Sequence, residues 1–149
     1  MRSLIISVLA GVFALGAGSV IADGDAGYYG KQKVVYHINY DDPKKQMGAL
    51  RNIQNHINAV GKENLDLRVV MHGNGLSLLM RANEDPNFQS NVLNLKSQGI
   101  GFKVCANTLR GRKISYQDDL FDVAEKDIVP SGVAEIAHLQ AQGFSYVKP

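Results

Sequence analysis

Residues 100–112 read Ile-Gly-Phe-Lys-Val-Cys-Ala-Asn-Thr-Leu-Arg-Gly-Arg, a β-prone run that ends in a cysteine and leads directly into a helix-forming segment. Gly99 lies just before the run and ends the preceding helical pattern. We therefore predict a strand over residues 100–105 and a turn into a short helix over residues 106–112. A strand followed at once by a helix is the repeating unit of α/β proteins.

The same alternation extends outward in both directions. Apolar, β-branched runs predict strands over residues 33–39, 65–71, 128–129 and 144–147. An Asp before a Pro marks helix starts at Asp42-Pro43 and Asp85-Pro86, Ser131 caps another helix, and residues 76–81 form a short one. Residues 118–127 give no clear pattern. The chain is thus predicted to be a single-domain α/β protein with a mainly parallel sheet and helices on both faces.

The first residues are typical of a secretory signal. Arg2 precedes an uncharged apolar stretch, and Val20-Ile21-Ala22 gives the short side chains that favour cleavage before Asp23. The alternative is an uncleaved anchor helix, although the stretch is short for a membrane span. We predict a signal over residues 1–22, a flexible leader over 23–32, and a periplasmic or secreted domain over 33–149, free of the membrane after cleavage.

Charge and cysteine content exclude several classes of protein. The formal net charge of +2 falls to +1 without Arg2, and no basic block is present, so nucleic acid is not an expected partner. A single cysteine forms no intramolecular disulfide. The sequence lacks the C-x-x-C, H-E-x-x-H and G-x-S-x-G patterns. We therefore expect no resident metal or cofactor.

Polar residues follow the first three predicted strands. Residues 37–40 read His-Ile-Asn-Tyr, residues 72–75 read His-Gly-Asn-Gly, and residues 105–108 read Cys-Ala-Asn-Thr. In open parallel sheets, ligands bind at the carboxyl ends of the strands. If the first strand lies between the other two, these three turns converge on one crevice.

Cys105 is the candidate nucleophile. A thiol just before a helix N-terminus is deprotonated more easily, because the free N–H groups and the dipole favour an anion. Asn107 and Thr108 are predicted to donate hydrogen bonds to the sulfur, and Arg110 and Arg112 to supply positive potential. The alternative is that Cys105 packs inward as a small apolar residue while the arginines are solvated.

The four histidines allow more than one role. His72 is a candidate proton donor, acceptor or metal ligand, or it caps its own turn. His37 fits a strand residue with a satisfied ring, and His56 fits a solvent-facing helix position. His138 lies near apolar positions and fits a subunit contact.

Several segments together resemble the DsrE/DsrF-like family of sulfur-relay proteins, and more narrowly its exported members. They are residues 70–73 (VMHG), 104–109 (VCANTL), 128–140 (IVPSGVAEIAHLQ) and 143–149 (GFSYVKP). The resemblance implies a five-stranded α/β fold and assembly into homo-trimers or homo-hexamers. It also implies that Cys105 accepts sulfur as a persulfide and passes it on.

Two hypotheses of different class follow. In the first, the chain is a sulfur carrier or sulfurtransferase-like protein that takes sulfane sulfur from a donor onto Cys105 and yields it to a thiol acceptor, which requires a reachable, acidic thiol. In the second, it is a non-catalytic oligomer in which His72, Cys105 and His37 hold a soft metal or haem, or the crevice holds a small ligand. A structural oligomer with a buried cysteine is the third reading.

Overall fold

The computed structural model describes residues 26–149, so the predicted signal and the first residues of the leader lie outside the described part. Within the leader, Ala26–Tyr29 form one helical turn, α1, and strand β1 begins at Gln32. The other strands are β2 (Leu65–Met71), β3 (Gly101–Cys105), β4 (Ile128–Val129) and β5 (Ser145–Val147). Strand β1 itself ends at Ile38. All five form one parallel sheet, which confirms the predicted fold class.

The helices begin where the sequence signals place them. Helix α2 spans Pro43–Val60, and the Asp42 side chain accepts a hydrogen bond from the Lys45 N–H at 3.0 Å. Helices α3 (Ser77–Glu84) and α4 (Pro86–Ser97) follow, and Asp85 caps α4 in the same way. Helix α5 spans Ala106–Arg112, and α6 spans Gly132–Ala141 with Ser131 as its N-cap. These caps supply acceptors for N–H groups that have no partner inside the helix.

The strand order is β4-β3-β2-β1-β5, so β2 lies between β1 and β3. The expectation that the first strand lies between the other two is therefore wrong. The reason is that β3 pairs with the outer edge of β2, while the other edge of β1 pairs with β5, which follows α6. The carboxyl ends of β1, β2 and β3 are nevertheless adjacent, because all three strands are parallel neighbours.

The two faces of the sheet are covered unequally. One face carries the larger core, in which strand residues such as Tyr36, Val69 and Phe102 pack with α2, α3 and α4. The hydrophobic cluster on the other face is smaller and contains Val35 and Val70 of the sheet, Ile136 and Leu139 of α6, and Phe144. Helices therefore lie on both faces as predicted, but α6 covers its face alone in the described part of the chain.

His56 differs from its predicted position. The ring is half-buried, and Nδ1 lies 3.1 Å from the Tyr36 hydroxyl while Nε2 lies 2.8 Å from Gln32 Oε1. The prediction of a solvent-facing His56 is wrong, because the ring bridges α2 to the start of β1. His138 is exposed and bonds to Gln142.

Candidate functional site

Cys105 is the last residue of β3 and the N-cap residue of α5. The residue is only 4% exposed, whereas the sulfur-carrier hypothesis needs a thiol that reagents reach. Its surroundings are nevertheless polar. The N–H groups of Gly132, Thr108 and Asn107 and the Thr108 hydroxyl all face the sulfur. The structure therefore shows a buried thiol that lies among hydrogen-bond donors.

These donors set the acidity of the thiol. Burial raises the pKa of Cys105, because a thiolate loses its hydration. The Gly132 N–H, the Thr108 hydroxyl and the two N–H groups of α5 act in the opposite direction, and together they bring the pKa of Cys105 below its ordinary value. A lower pKa means a larger thiolate population at neutral pH.

Gly132 brings α6 into contact with the cysteine. A Cβ atom at this position would lie 2.9 Å from His72 Cβ and 3.3 Å from Cys105 Cβ. No side chain larger than hydrogen fits there without movement of its neighbours. The first N–H of α6, at the positive end of a ten-residue helix, is thereby placed at the sulfur.

The turns after β1, β2 and β3 are held together by backbone contacts. The Gly73 N–H donates to Thr108 Oγ1 at 2.9 Å, which leaves the Thr108 proton free to face the sulfur. A Cβ on Gly75 would lie 2.0 Å from the Ile38 carbonyl oxygen, so this turn packs directly on the end of β1. The three turns therefore form one continuous edge.

A chain of hydrogen-bonded rings lies beside the cysteine. His37 Nε2 and His72 Nε2 are 2.7 Å apart, and the two ring planes differ by 27°, which suits an N–H···N hydrogen bond. His37 Nδ1 also lies 2.7 Å from the Tyr146 hydroxyl. Burial, the neighbouring His72 and the charge of Lys148 lower the pKa of His37 to about 4. Burial and Lys148 also lower the pKa of His72, so both rings are neutral at neutral pH.

The predicted arginines lie at the rim. Arg110 is exposed and donates to the Asn107 side chain. Arg112 is exposed and donates to Asn74 Oδ1 at 2.7 Å. The structure thus places Thr108, His72 and the Asn107 backbone near Cys105. The side chains of Arg110 and Arg112 instead contact asparagines at the rim of the site.

A cavity of about 500 Å³ opens at the same edge of the sheet. Its lining includes Tyr40, Lys45, Asn52 and Lys148. The charge of Lys148 also lowers the pKa of both His37 and His72. The cavity therefore lies at the end of β1 and beside α2, with Lys45 and Lys148 giving it positive charge, and its lining includes neither Cys105 nor His72.

The soft-metal reading can be compared with the arrangement of ligand side chains in the described residues. Among residues 26–149, no group of three or more His, Cys, Asp or Glu side chains is placed to hold a metal ion. Both nitrogens of His37 already have partners, Tyr146 and His72, so neither has a free lone pair for a metal. Over the same residues, no helix is long and apolar enough to cross a membrane.

Sequence reasoning did not assign Gly132 or Tyr146 to the site. It offered His37 as a satisfied strand residue or as a ligand of a soft metal, and not as a hydrogen-bond partner of His72. Tyr146 lies 109 residues from its partner His37, so no local pattern joins them. The one available signal was the Ser131-Gly132 pair, a helix start with no side chain at its first position.

Solved structures with the same fold provide a comparison. A Methanobacterium thermoautotrophicum protein of unknown function, MTH1491, is 32% identical, with a TM-score of 0.69 over 80% of this chain and 100% of its own. The ychN protein of E. coli is 22% identical, with a TM-score of 0.63 over 79% of this chain and 99% of its own, which shows a shared fold. No curated protein is similar enough to count as a relative.

The family comparison covers the whole described sheet. The model of the DsrE/DsrF-like family matches residues 32–149, which include Cys105, His72 and all five strands. This match confirms the resemblance found in the sequence. The chain therefore belongs to the DsrE/DsrF-like family, which is associated with sulfur relay.

Proposed function

We propose that this protein is an exported sulfur carrier, or sulfurtransferase-like protein, that holds sulfane sulfur as a persulfide on Cys105. The observation that carries the proposal is the position of Cys105, which is the N-cap residue of α5 and lies against Gly132 at the start of α6. Hydrogen bonds from Gly132, Thr108 and Asn107 lower the pKa of its thiol. These donors favour the thiolate, which is the nucleophilic form of cysteine.

The chemistry needs one thiol and no cofactor. With thiosulfate as donor, the Cys105 thiolate attacks the outer, sulfane sulfur, a new S–S bond forms, and the old S–S bond breaks with release of sulfite. The product is a Cys105 persulfide anion, so charge and electrons balance. An acceptor thiolate then takes the outer sulfur, and the Cys105 thiolate is regenerated.

The burial of the Cys105 thiol limits how a sulfur donor reaches it. The S–S bond of a persulfide is about 2 Å long, so the transferable sulfur extends beyond the position of the thiol sulfur. Gly132, at the start of α6, lies against both Cys105 and the His72 side chain. A small displacement of α6 would therefore open the site to a donor anion, and Lys148 beside the cavity would attract it.

Intact mass spectrometry tests the proposal directly. The purified protein is incubated with thiosulfate, or with polysulfide as a second donor of sulfane sulfur, and is then compared with Cys105→Ser. We expect the mass of one added sulfur atom on the wild type, its loss on treatment with a reducing thiol, and no gain on the variant. A wild type that gains no sulfur from either donor, or a variant that gains the same mass, contradicts the proposal.

Location and assembly are part of the same proposal. The predicted signal over residues 1–22 supports export, and the family resemblance supports a homo-trimer or homo-hexamer. Cell fractionation with N-terminal sequencing is expected to find a periplasmic or secreted chain that begins at Asp23. Light scattering of the purified protein measures the subunit number, and a monomer would contradict the assembly.

A further inference from the structure

The cavity of about 500 Å³ beside α2, called here the α2 cavity, is a second candidate site on the molecule. One wall is a single face of α2, because its four lining residues are three, four and seven positions apart. They are Lys45, Gly48, Ala49 and Asn52. The other lining residues follow β1 and β5, which are paired neighbours in the sheet. The volume lies within the range of small-molecule sites in proteins.

Gly48 has no structural reason to be glycine other than the cavity. It lies inside the 18-residue helix α2, where glycine is less favourable than alanine. Its φ is not positive, and a Cβ at this position would meet no atom within 4 Å. Neither the backbone conformation nor the packing therefore requires a missing side chain. Gly48 and the small Ala49 leave the space that forms the α2 cavity.

Two lysines give the α2 cavity its charge. Lys45 lies on α2, and Lys148 follows β5. Within residues 26–149, neither ammonium has a carboxylate at ion-pairing distance. Asn39 and Asn52 line the same space, and their side-chain amides are hydrogen-bond donors. This combination of cations and neutral donors favours a ligand with an anionic group.

Tyr40 adds an apolar surface and an unsatisfied hydroxyl. The residue lines the α2 cavity and also packs against the larger core. In the described part of the chain, its hydroxyl is the one buried side-chain polar atom without a hydrogen-bond partner. Buried polar groups without partners are rare and unfavourable. An oxygen atom of a ligand beside Tyr40 would supply an acceptor.

We propose that the α2 cavity binds a small organic anion. The apolar body of the ligand lies over Gly48 and Ala49, and its anionic group is held by Lys45 and Lys148. This site is separate from the cysteine, because its lining includes neither Cys105 nor His72. The proposal does not depend on sulfur transfer.

Nuclear magnetic resonance of the ¹⁵N-labelled protein tests the proposal with benzoate as the probe. The amide shifts of residues 45–52 and of Lys148 are followed during the titration. Benzamide has nearly the same shape as benzoate without the charge, and sulfate has charge without an apolar body. Both are titrated under the same conditions.

Three variants assign the binding to the α2 cavity. Gly48→Leu fills the space with a side chain, and Lys45→Gln removes one cation. Lys44→Gln is the matched control for Lys45→Gln, because Lys44 is the preceding exposed lysine of α2 and does not line the cavity.

We expect benzoate to shift these amides with a Kd of about 1 mM, which is ordinary for so small a ligand. Lys45→Gln is expected to weaken binding about three- to tenfold, the equivalent of one charged contact, and Lys44→Gln to leave it unchanged. Benzamide and sulfate bind more weakly than benzoate, and Gly48→Leu abolishes the shifts.

Equal binding of benzoate and benzamide overturns the anion site, and sulfate binding as tight as that of benzoate overturns the role of the apolar floor. Benzoate binding that survives Gly48→Leu, or that Lys44→Gln weakens as much as Lys45→Gln does, places the ligand elsewhere and also overturns the proposal. If Gly48→Leu does not fold, the two lysine variants decide alone. Sulfur loading of Cys105 is measured separately, so failure of either proposal leaves the other standing.

Discussion

Replacing Gly132 with alanine adds a methyl group where the structure has no room for one. The new Cβ would lie 2.9 Å from His72 Cβ and 3.3 Å from Cys105 Cβ. Both neighbours are Cβ atoms fixed to the ends of β2 and β3, so they cannot turn away as the tip of a flexible side chain can. The start of α6 must therefore move outward, and its first N–H moves away from the sulfur.

The magnitude follows from two opposing terms. Alanine in place of glycine in a helix is favourable by about 0.5–1 kcal/mol. An inserted methyl group in a packed site costs about 1–3 kcal/mol. We therefore expect Gly132→Ala to lower the free energy of unfolding by up to about 2.5 kcal/mol. Loss of the Gly132 N–H also raises the pKa of Cys105, and each pKa unit corresponds to a tenfold smaller thiolate population.

Urea unfolding followed by circular dichroism measures the first effect, and the pH dependence of alkylation measures the second. Gly48→Ala is the matched control, because a Cβ at Gly48, within α2, meets nothing within 4 Å. We expect this control to be as stable as the wild type or more stable, with unchanged alkylation. Wild-type stability and wild-type alkylation in Gly132→Ala would refute the close contact of α6 with the cysteine.

Three further predictions concern the same edge of the sheet. Thr108→Val removes the acceptor of the Gly73 N–H and a donor to the sulfur, so we expect a loss of about 1–2 kcal/mol in unfolding free energy and a higher pKa of Cys105, measured by denaturation and by alkylation. Gly75→Ala places a Cβ 2.0 Å from a backbone oxygen and is expected to cost more than about 3 kcal/mol or to prevent folding, whereas Gly111→Ala, which meets nothing within 4 Å, is tolerated. The pKa of His37 is about 4 in the fold against an ordinary 6.5, so the unfolded chain binds the proton first. Stability is then lost as the pH falls from about 6.5 towards about 4, by up to about 1.4 kcal/mol per pH unit, and His37→Leu removes this component of the slope.

Local signals predicted most of the fold. Strand β2 and the two-residue strand β4 have the predicted bounds, and the Asp-Pro pairs mark the first turns of α2 and α4. Strand β1 is shifted by one residue, and β3 and β5 begin one residue later than predicted, because strand ends carry weak local preference. Strand order was not predictable in this way, since it depends on which edge β5 reaches after α6 crosses the sheet.

The site was predictable only where its parts are sequential. Cys105, Asn107 and Thr108 occupy one strand-to-helix turn, so their proximity follows from local structure. His37 and His72 are separated by 35 residues, and their contact depends on the register of β1 with β2. The burial of Cys105 was likewise inaccessible, because Gly132 of a distant helix covers it.

Helix α6 controls both the access to the sulfur and its acidity. It covers the cysteine and supplies the Gly132 N–H, yet it is anchored by a small apolar cluster of Ile136, Leu139 and Phe144 on Val35 and Val70. Few buried apolar contacts imply a low free energy of local opening. We therefore predict that, in native-state hydrogen exchange, the hydrogen-bonded amides of α6 exchange with a smaller opening free energy than those of β2.

The same opening would admit a sulfur donor. Under conditions in which α6 opens more often, such as urea below the unfolding transition, alkylation of Cys105 is expected to accelerate in parallel with exchange of the α6 amides. The control variant is Gly48→Ala, because its added methyl group lies in α2, away from the cluster that anchors α6. Its Cys105 alkylation is measured at the same urea concentrations. If the α6 amides exchange only with global unfolding while Cys105 is alkylated rapidly, then the reagent reaches the sulfur by another route, and α6 is a fixed wall of the site.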